Sequence, residues 1–87
     1  MSEEKKARYI IIGRSSCPWC QHAINYLSAL NLESVFLDYE KNIEILEEYK
    51  VFHKQETVPI ILHNEINTGL TYRIGGFADL LEYDGGK

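Results

Sequence analysis

The sequence predicts an α/β domain with a mixed four-stranded sheet flanked by helices, in the order β-α-β-α-β-β-α. Three observations predict it. Short runs rich in isoleucine, valine and phenylalanine alternate with segments of helical period. The last two strand-like runs are separated by a turn alone, the signature of an antiparallel hairpin. The chain has 87 residues, room for a single domain over 1–87 and not for two.

Residues 1–7 read as a polar, flexible lead-in. Residues 8–12 are almost wholly apolar, which suits a central strand covered on both faces. Gly13-Arg14-Ser15-Ser16 is a loop. Pro18 fits a first helical position, where its missing N–H costs nothing. The helix continues to about Leu30, with Ala23, Leu27 and Leu30 on one stripe and Ile24 beside it. Residues 34–39 form the second strand, with Val35 and Leu37 facing one way and Phe36 the other. This βαβ unit makes the first two strands parallel.

Asn42 is a cap candidate for the second helix. Ile45, Leu46, Tyr49 and Phe52 then read as a core stripe, followed by the polar exit His53-Lys54-Gln55-Glu56. Residues 58–63 form the third strand. Pro59 cannot donate to a ladder, so it marks a strand start or a special turn, a cis peptide among them. Residues 64–68 are turn-rich, Gly69 helps close the turn, and residues 70–74 return antiparallel. Gly75-Gly76 is a tight turn. Phe77, Leu80 and Leu81 give a last helix one apolar face up to about Tyr83, and residues 85–87 read as a flexible end.

The formal net charge of −4 argues against nucleic acid or an anionic membrane as the main partner. Arg8, Arg14 and Arg73 are scattered and form no basic stripe. The apolar runs are too short to span a bilayer. Met1-Ser2-Glu3-Glu4-Lys5-Lys6 has no apolar core and does not read as a signal peptide, so the expected location is cytoplasmic. In that reducing setting a close cysteine pair is more often catalytic or metal-binding than a static staple.

The only two cysteines lie in Cys17-Pro18-Trp19-Cys20, at a strand-to-helix junction, which reads as a redox dithiol. A helix leaves its first N–H groups unpaired and carries partial positive charge there. A sulfur in that place gains more as thiolate than as thiol. Cys17, before the first turn, is the expected nucleophile, and Cys20, one turn later, the resolving thiol. Zinc needs four protein ligands, or three with an open position. His22 is close in sequence but should point away from the thiols, and no second ligand pair exists, so no metal site is expected. His53 and His63 read as surface or strand-edge residues.

Three separated motifs together resemble the glutaredoxins, over roughly residues 8–83. They are Gly13-Arg14-Ser15-Ser16-Cys17-Pro18-Trp19-Cys20, Thr57-Val58-Pro59, and Gly75-Gly76-Phe77-Ala78-Asp79. The resemblance implies a thioredoxin fold and reduction of glutathione–protein mixed disulfides or protein disulfides, with glutathione as reducing co-substrate and no permanently bound cofactor. It implies catalysis by Cys17 and Cys20. It implies a glutathione site formed by Arg14, Cys17, Trp19, Thr57, Val58, Pro59, Gly75, Gly76 and Asp79. There Arg14 would hold the glycine carboxylate, and Val58 would pair with the glutathione cysteine through its backbone like an added strand. Free N–H groups at the last helix would take the γ-glutamyl carboxylate. Asp79 would meet the γ-glutamyl ammonium, and Trp19 would wall the groove. Two residues depart from the family pattern. Ala78 removes a contact to the γ-glutamyl end, and Glu56 adds negative charge near an anionic ligand.

The resemblance also implies glutathionylated or disulfide-bearing proteins as partners, and a monomer. Two other classes compete. One is a [2Fe–2S] cluster carrier, against which Pro18 argues by stiffening the loop. The other is a thioredoxin-like electron donor to ribonucleotide reductase, fed by a flavoprotein.

Overall fold

Three consecutive isoleucines give β1 (Ala7–Gly13) apolar side chains on both faces, and the strand takes the inner position such a run demands. The computed structural model describes residues 7–85. β2 (Ser34–Asp38) lies parallel to β1, with Ile11 opposite Phe36. β3 (Ile60–Glu65) runs antiparallel along the other side of β1, with Ile11 opposite Ile61. β4 (Thr71–Gly75) pairs antiparallel with β3, so the sheet order is β2-β1-β3-β4.

Strand alternation sorts the side chains into two cores. Tyr9, Ile11 and Ile61 meet Ala23 and Leu27 of α1 (Pro18–Ala29) and Leu80 of α3 (Phe77–Gly85). Ile12, Ile60 and Leu62 meet Leu46 of α2 (Ile43–His53) on the opposite face. Each fully buried leucine or isoleucine side chain among them contributes about 1.5–3 kcal/mol. Tyr83 Oη meets His63 Nδ1 at 2.6 Å and ties the end of α3 to β3.

Left-handed residues close two helices. Asn31 (φ 60°) follows α1, and the N–H groups of Asn31 and Leu32 bond the carbonyls of Ser28 and Leu27 at 3.0 Å. Lys54 (φ 57°) follows α2, and the Gln55 N–H reaches the Lys50 carbonyl at 3.0 Å. Both are the bond pattern of a Schellman closure, which turns the chain sharply back.

Several expectations shift. β3 starts at Ile60, because Pro59 has no N–H for the ladder; the Val58–Pro59 bond is cis. It extends to Glu65, because Ala7 and Arg8 supply partners and Arg8 Nε donates to Asn64 Oδ1 at 3.1 Å. The hairpin turn accordingly moves to residues 66–69, where Gly69 (φ 80°) donates its N–H to the Glu65 carbonyl at 2.8 Å. Asn42 precedes α2, but its side chain makes no cap hydrogen bond. Phe52 is 78% exposed and Leu30 45%, so neither belongs to the core stripe expected for it. Phe52 lies well around the helix from Leu46, while Leu30 sits past the last turn of α1. The flexible ends expected at 1–7 and 85–87 fall outside the described residues at 1–6 and 86–87. Ala7 pairs with Glu65 in β1, and Gly85 closes α3.

Candidate active site

Cys17 occupies the N-cap of α1 in extended conformation, and Pro18 follows at the first helical position. The Cys17 sulfur does what a cap oxygen does elsewhere: it accepts the Cys20 N–H at 3.4 Å. The helix therefore aims a first-turn donor at the sulfur, as charge development on it requires. Cys17 is 6% exposed and Cys20 fully buried. Burial pushes the Cys20 thiol up to about 12, with a hydrogen bond to Cys17 adding to the rise and a backbone bond from Arg14 opposing it. The two thiols thus differ in environment: one caps a helix, the other is a protonated group beneath it. Gly13 lets Cys20 in, because a Cβ at that position would overlap the Cys20 sulfur.

The loop carrying Cys17 is braced by two carboxylates that the sequence reading did not single out. Asp38 Oδ1 accepts the Ser15 N–H at 3.0 Å, and Glu40 Oε1 accepts the Ser16 N–H at 3.0 Å. The Glu40 N–H also reaches Asp38 Oδ1 at 3.0 Å, which chiefly holds that carboxyl below its usual range. The Ser16 N–H does the same for Glu40, with the charge of Arg14 contributing. Their only sequence signal is position, at the C-terminal end of a strand parallel to β1.

A groove of about 660 Å³ opens beside this helix start. Trp19 forms one wall, Thr57, Val58 and Pro59 the floor, and Gly76 and Asp79 the far side. Its size falls within the range of about 300–1,000 Å³ typical of small-molecule sites. Among the described residues, no hydrogen bond engages the Val58 N–H or C=O. Asp79 Oδ2 accepts the Gly76 N–H at 2.8 Å, reaching back to the start of its own helix. Gly75 (φ 127°) is confined to glycine twice over, since a Cβ there would also meet the Asp79 carboxylate. Ala78 and Phe77 complete the far side.

Of the residues expected at a binding site, Trp19, Thr57, Val58, Pro59, Gly76 and Asp79 line this one groove. Arg14, Cys17 and Gly75 do not line it. The charge of Arg14 instead acts on Glu40, across the loop. His22 meets Trp19 edge-on at 5.4 Å and lies tilted against Phe77 at 5.9 Å. Gln55 and Arg73 line the groove, and the sequence reading assigned neither a role. Among the described residues, no group of three His, Cys, Asp or Glu side chains converges as a metal site.

The family model for glutaredoxin matches residues 9–65. The chain belongs to the glutaredoxin family. It is also similar in fold to two solved glutaredoxins. A crystal structure of wheat glutaredoxin superimposes with a TM-score of 0.76 at 21% identity, covering 94% of this chain and 73% of that one. A solution structure of glutaredoxin from Brucella melitensis gives a TM-score of 0.65 at 23% identity, covering 97% and 87%. No curated protein matches the sequence. The fold is thus thioredoxin-like, as the resemblance implied, and membership in the family makes the dithiol that of a thiol–disulfide oxidoreductase. The glutaredoxin match ends before Gly75, so the third motif stands on its geometry: the glycine turn and the Asp79 carboxylate that accepts the Gly76 N–H at the helix start.

Proposed function

We propose that this glutaredoxin reduces glutathione–protein mixed disulfides, with glutathione as the electron source. The observation that carries the reading is the groove bounded by Trp19, the Val58–Pro59 turn and Asp79, next to the helix that Cys17 caps. It offers an extended ligand a free backbone edge at Val58 and a carboxylate at Asp79, which suit the peptide and the ammonium of glutathione. Arg14 supplies positive charge in the loop preceding Cys17 for a carboxylate.

The exchange proceeds through a mixed disulfide on Cys17. The Cys17 thiolate attacks the glutathione sulfur. The new bond joins Cys17 to glutathione, the protein–glutathione bond breaks, and the protein thiolate leaves and takes a proton. A second glutathione thiolate then attacks the glutathione sulfur held on Cys17, which releases oxidised glutathione and the Cys17 thiolate. For a protein disulfide, the Cys17 thiolate attacks one substrate sulfur, the substrate S–S bond breaks, and the other sulfur leaves as the first substrate thiolate. Cys20 then gives up its proton, attacks the Cys17 sulfur and expels the second substrate thiolate. Two glutathiones reduce the resulting Cys17–Cys20 bridge. Burial and protonation of Cys20 favour the first route, because they slow its attack on a glutathionylated Cys17. The reading includes a monomer working in a reducing cytoplasm.

The test is a glutathione-coupled assay on a glutathionylated substrate with wild type, Cys17→Ser and Cys20→Ser. Cys17→Ser abolishes turnover, and Cys20→Ser retains it. A wild type that turns over substrate without responding to glutathione refutes the reading.

A further inference from the structure

We propose that Gln55 is a positioning residue that fixes the Val58 edge of the groove, and that Arg73 holds its amide in the required orientation. The inference rests on the glutathione reading and deepens it. Gln55 Nε2 donates to the Thr57 carbonyl at 3.1 Å and to the Pro59 carbonyl at 2.9 Å. These carbonyls flank Val58 on either side. Gln55 Oε1 accepts from Arg73 Nη1 at 3.1 Å. Both amide hydrogens and the amide oxygen are thus engaged. A flipped amide would turn its oxygen on the carbonyls and its hydrogens on the guanidinium, so Arg73 decides which way the amide faces.

The placement follows from the chain. The left-handed Lys54 closes α2 and turns the chain back, which carries the Gln55 side chain over the turn that leads into β3. Arg73 reaches it from β4, where it stands opposite Leu62 of β3. The three residues 55, 58 and 73 therefore come from the end of a helix, a loop and an edge strand. Gln55 is half-buried in the groove wall, and its bond to the Pro59 carbonyl is partly shielded from competing water, while those to Thr57 and Arg73 lie at the surface. A backbone edge that pairs with a ligand binds well only when its N–H and C=O are held before the ligand arrives. Tethering the carbonyls before and after Val58 provides that restraint.

Gln55→Glu separates this role from packing. The carboxylate has nearly the same shape and still accepts from Arg73, but it has no hydrogens for the Thr57 and Pro59 carbonyls. His53, Lys54 and Glu56 stand beside it in the chain, and Arg73 is the charge that directly faces it. The expected result is a KM for a glutathionylated substrate raised about tenfold, the net worth of about one hydrogen bond, with kcat within about twofold of wild type. Alkylation of Cys17 by iodoacetamide keeps its wild-type rate, since the cap is untouched. Arg73→Met, which frees the amide without removing its donors, raises KM in the same direction by about threefold. It carries the test by itself if Gln55→Glu does not fold. An unchanged KM in the folded variants, or a loss confined to kcat, or a slowed Cys17 alkylation, overturns the inference while leaving the glutathione reading standing. A wild type with no glutathione dependence overturns both.

Discussion

Replacing Gly13 by alanine places a methyl group against the sulfur of Cys20 at the end of β1. The overlap is with that sulfur alone: the next atoms, Cys20 Cβ and Val58 Cβ, stand at 3.6 and 3.7 Å, ordinary contact distances. Cys20 is fully buried in the first turn of α1, so its sulfur has no solvent to retreat into. Overpacking of this kind costs about 1–3 kcal/mol. At about 2 kcal/mol, the melting temperature of a domain this size falls by about 8–16 °C. The cause is isolated by repeating the substitution in a Cys20→Ala background. There the sulfur is gone and the new methyl meets only atoms at contact distance. Gly13→Ala should then cost almost nothing, which leaves a coupling energy of about 1–3 kcal/mol between the two sites. Urea unfolding of wild type, both single variants and the double variant measures it. Equal destabilisation in the two backgrounds, or none in the wild-type background, refutes the argument that Gly13 is required by the close approach of Cys20.

Two further expectations concern protonation. Burial is the main cause that raises the Cys20 thiol, and it persists in Cys17→Ser when the contributions of Cys17 are gone, so the lone thiol stays protonated through neutral pH. Its alkylation remains slow beyond the ordinary thiol value of about 8.5, and a rate that climbs near that value would contradict the burial argument. Because the folded value is the raised one, the associated stability is whole below the unfolded thiol value and declines as pH rises toward about 12. Asp38 and Glu40 have the opposite sign: both are lowered in the fold, so their contribution is present above the ordinary carboxylate range and lost as pH falls through their lowered values. An Asp38→Asn, Glu40→Gln double variant should lose stability less steeply than wild type below about pH 4, and superimposable acid limbs would refute the bracing role.

Much of the architecture was legible because burial imposes periodicity. The isoleucines of β1 and β3 and the Ala23–Leu27 stripe mark their own positions, and the strand order follows from a βαβ unit ending in a hairpin. The helix termini and strand ends were less legible. Asn31 is a residue that tolerates a left-handed closure, but nothing local in Lys54 marks one as glycine would. Asn64 reads as a turn residue until Arg8 is known to stand opposite it. The same divide runs through the site. The dithiol and the Thr57-Val58-Pro59 segment carry their chemistry in adjacent residues. Gln55 with Arg73, and Asp38 with Glu40 beneath the Ser15–Ser16 loop, act only through partners brought from other elements. Phe52 shows the converse: an apolar residue near the right spacing still lies in solvent when its angle around the helix is wrong.

The antiparallel pairing of β1 with β3 has a consequence for selectivity. Cys17 follows β1 and the Val58 edge of the groove precedes β3, and Ile12 opposite Ile60 is the pairing that brings them together. A chain that has lost this pairing still carries both thiols but has no groove. Any local opening of the sheet centre therefore converts a discriminating reductant into an indiscriminate thiol pair, open to whatever oxidant diffuses by. The rarity of that opening, set by the stability of the two inner strands, thus limits unwanted disulfide formation.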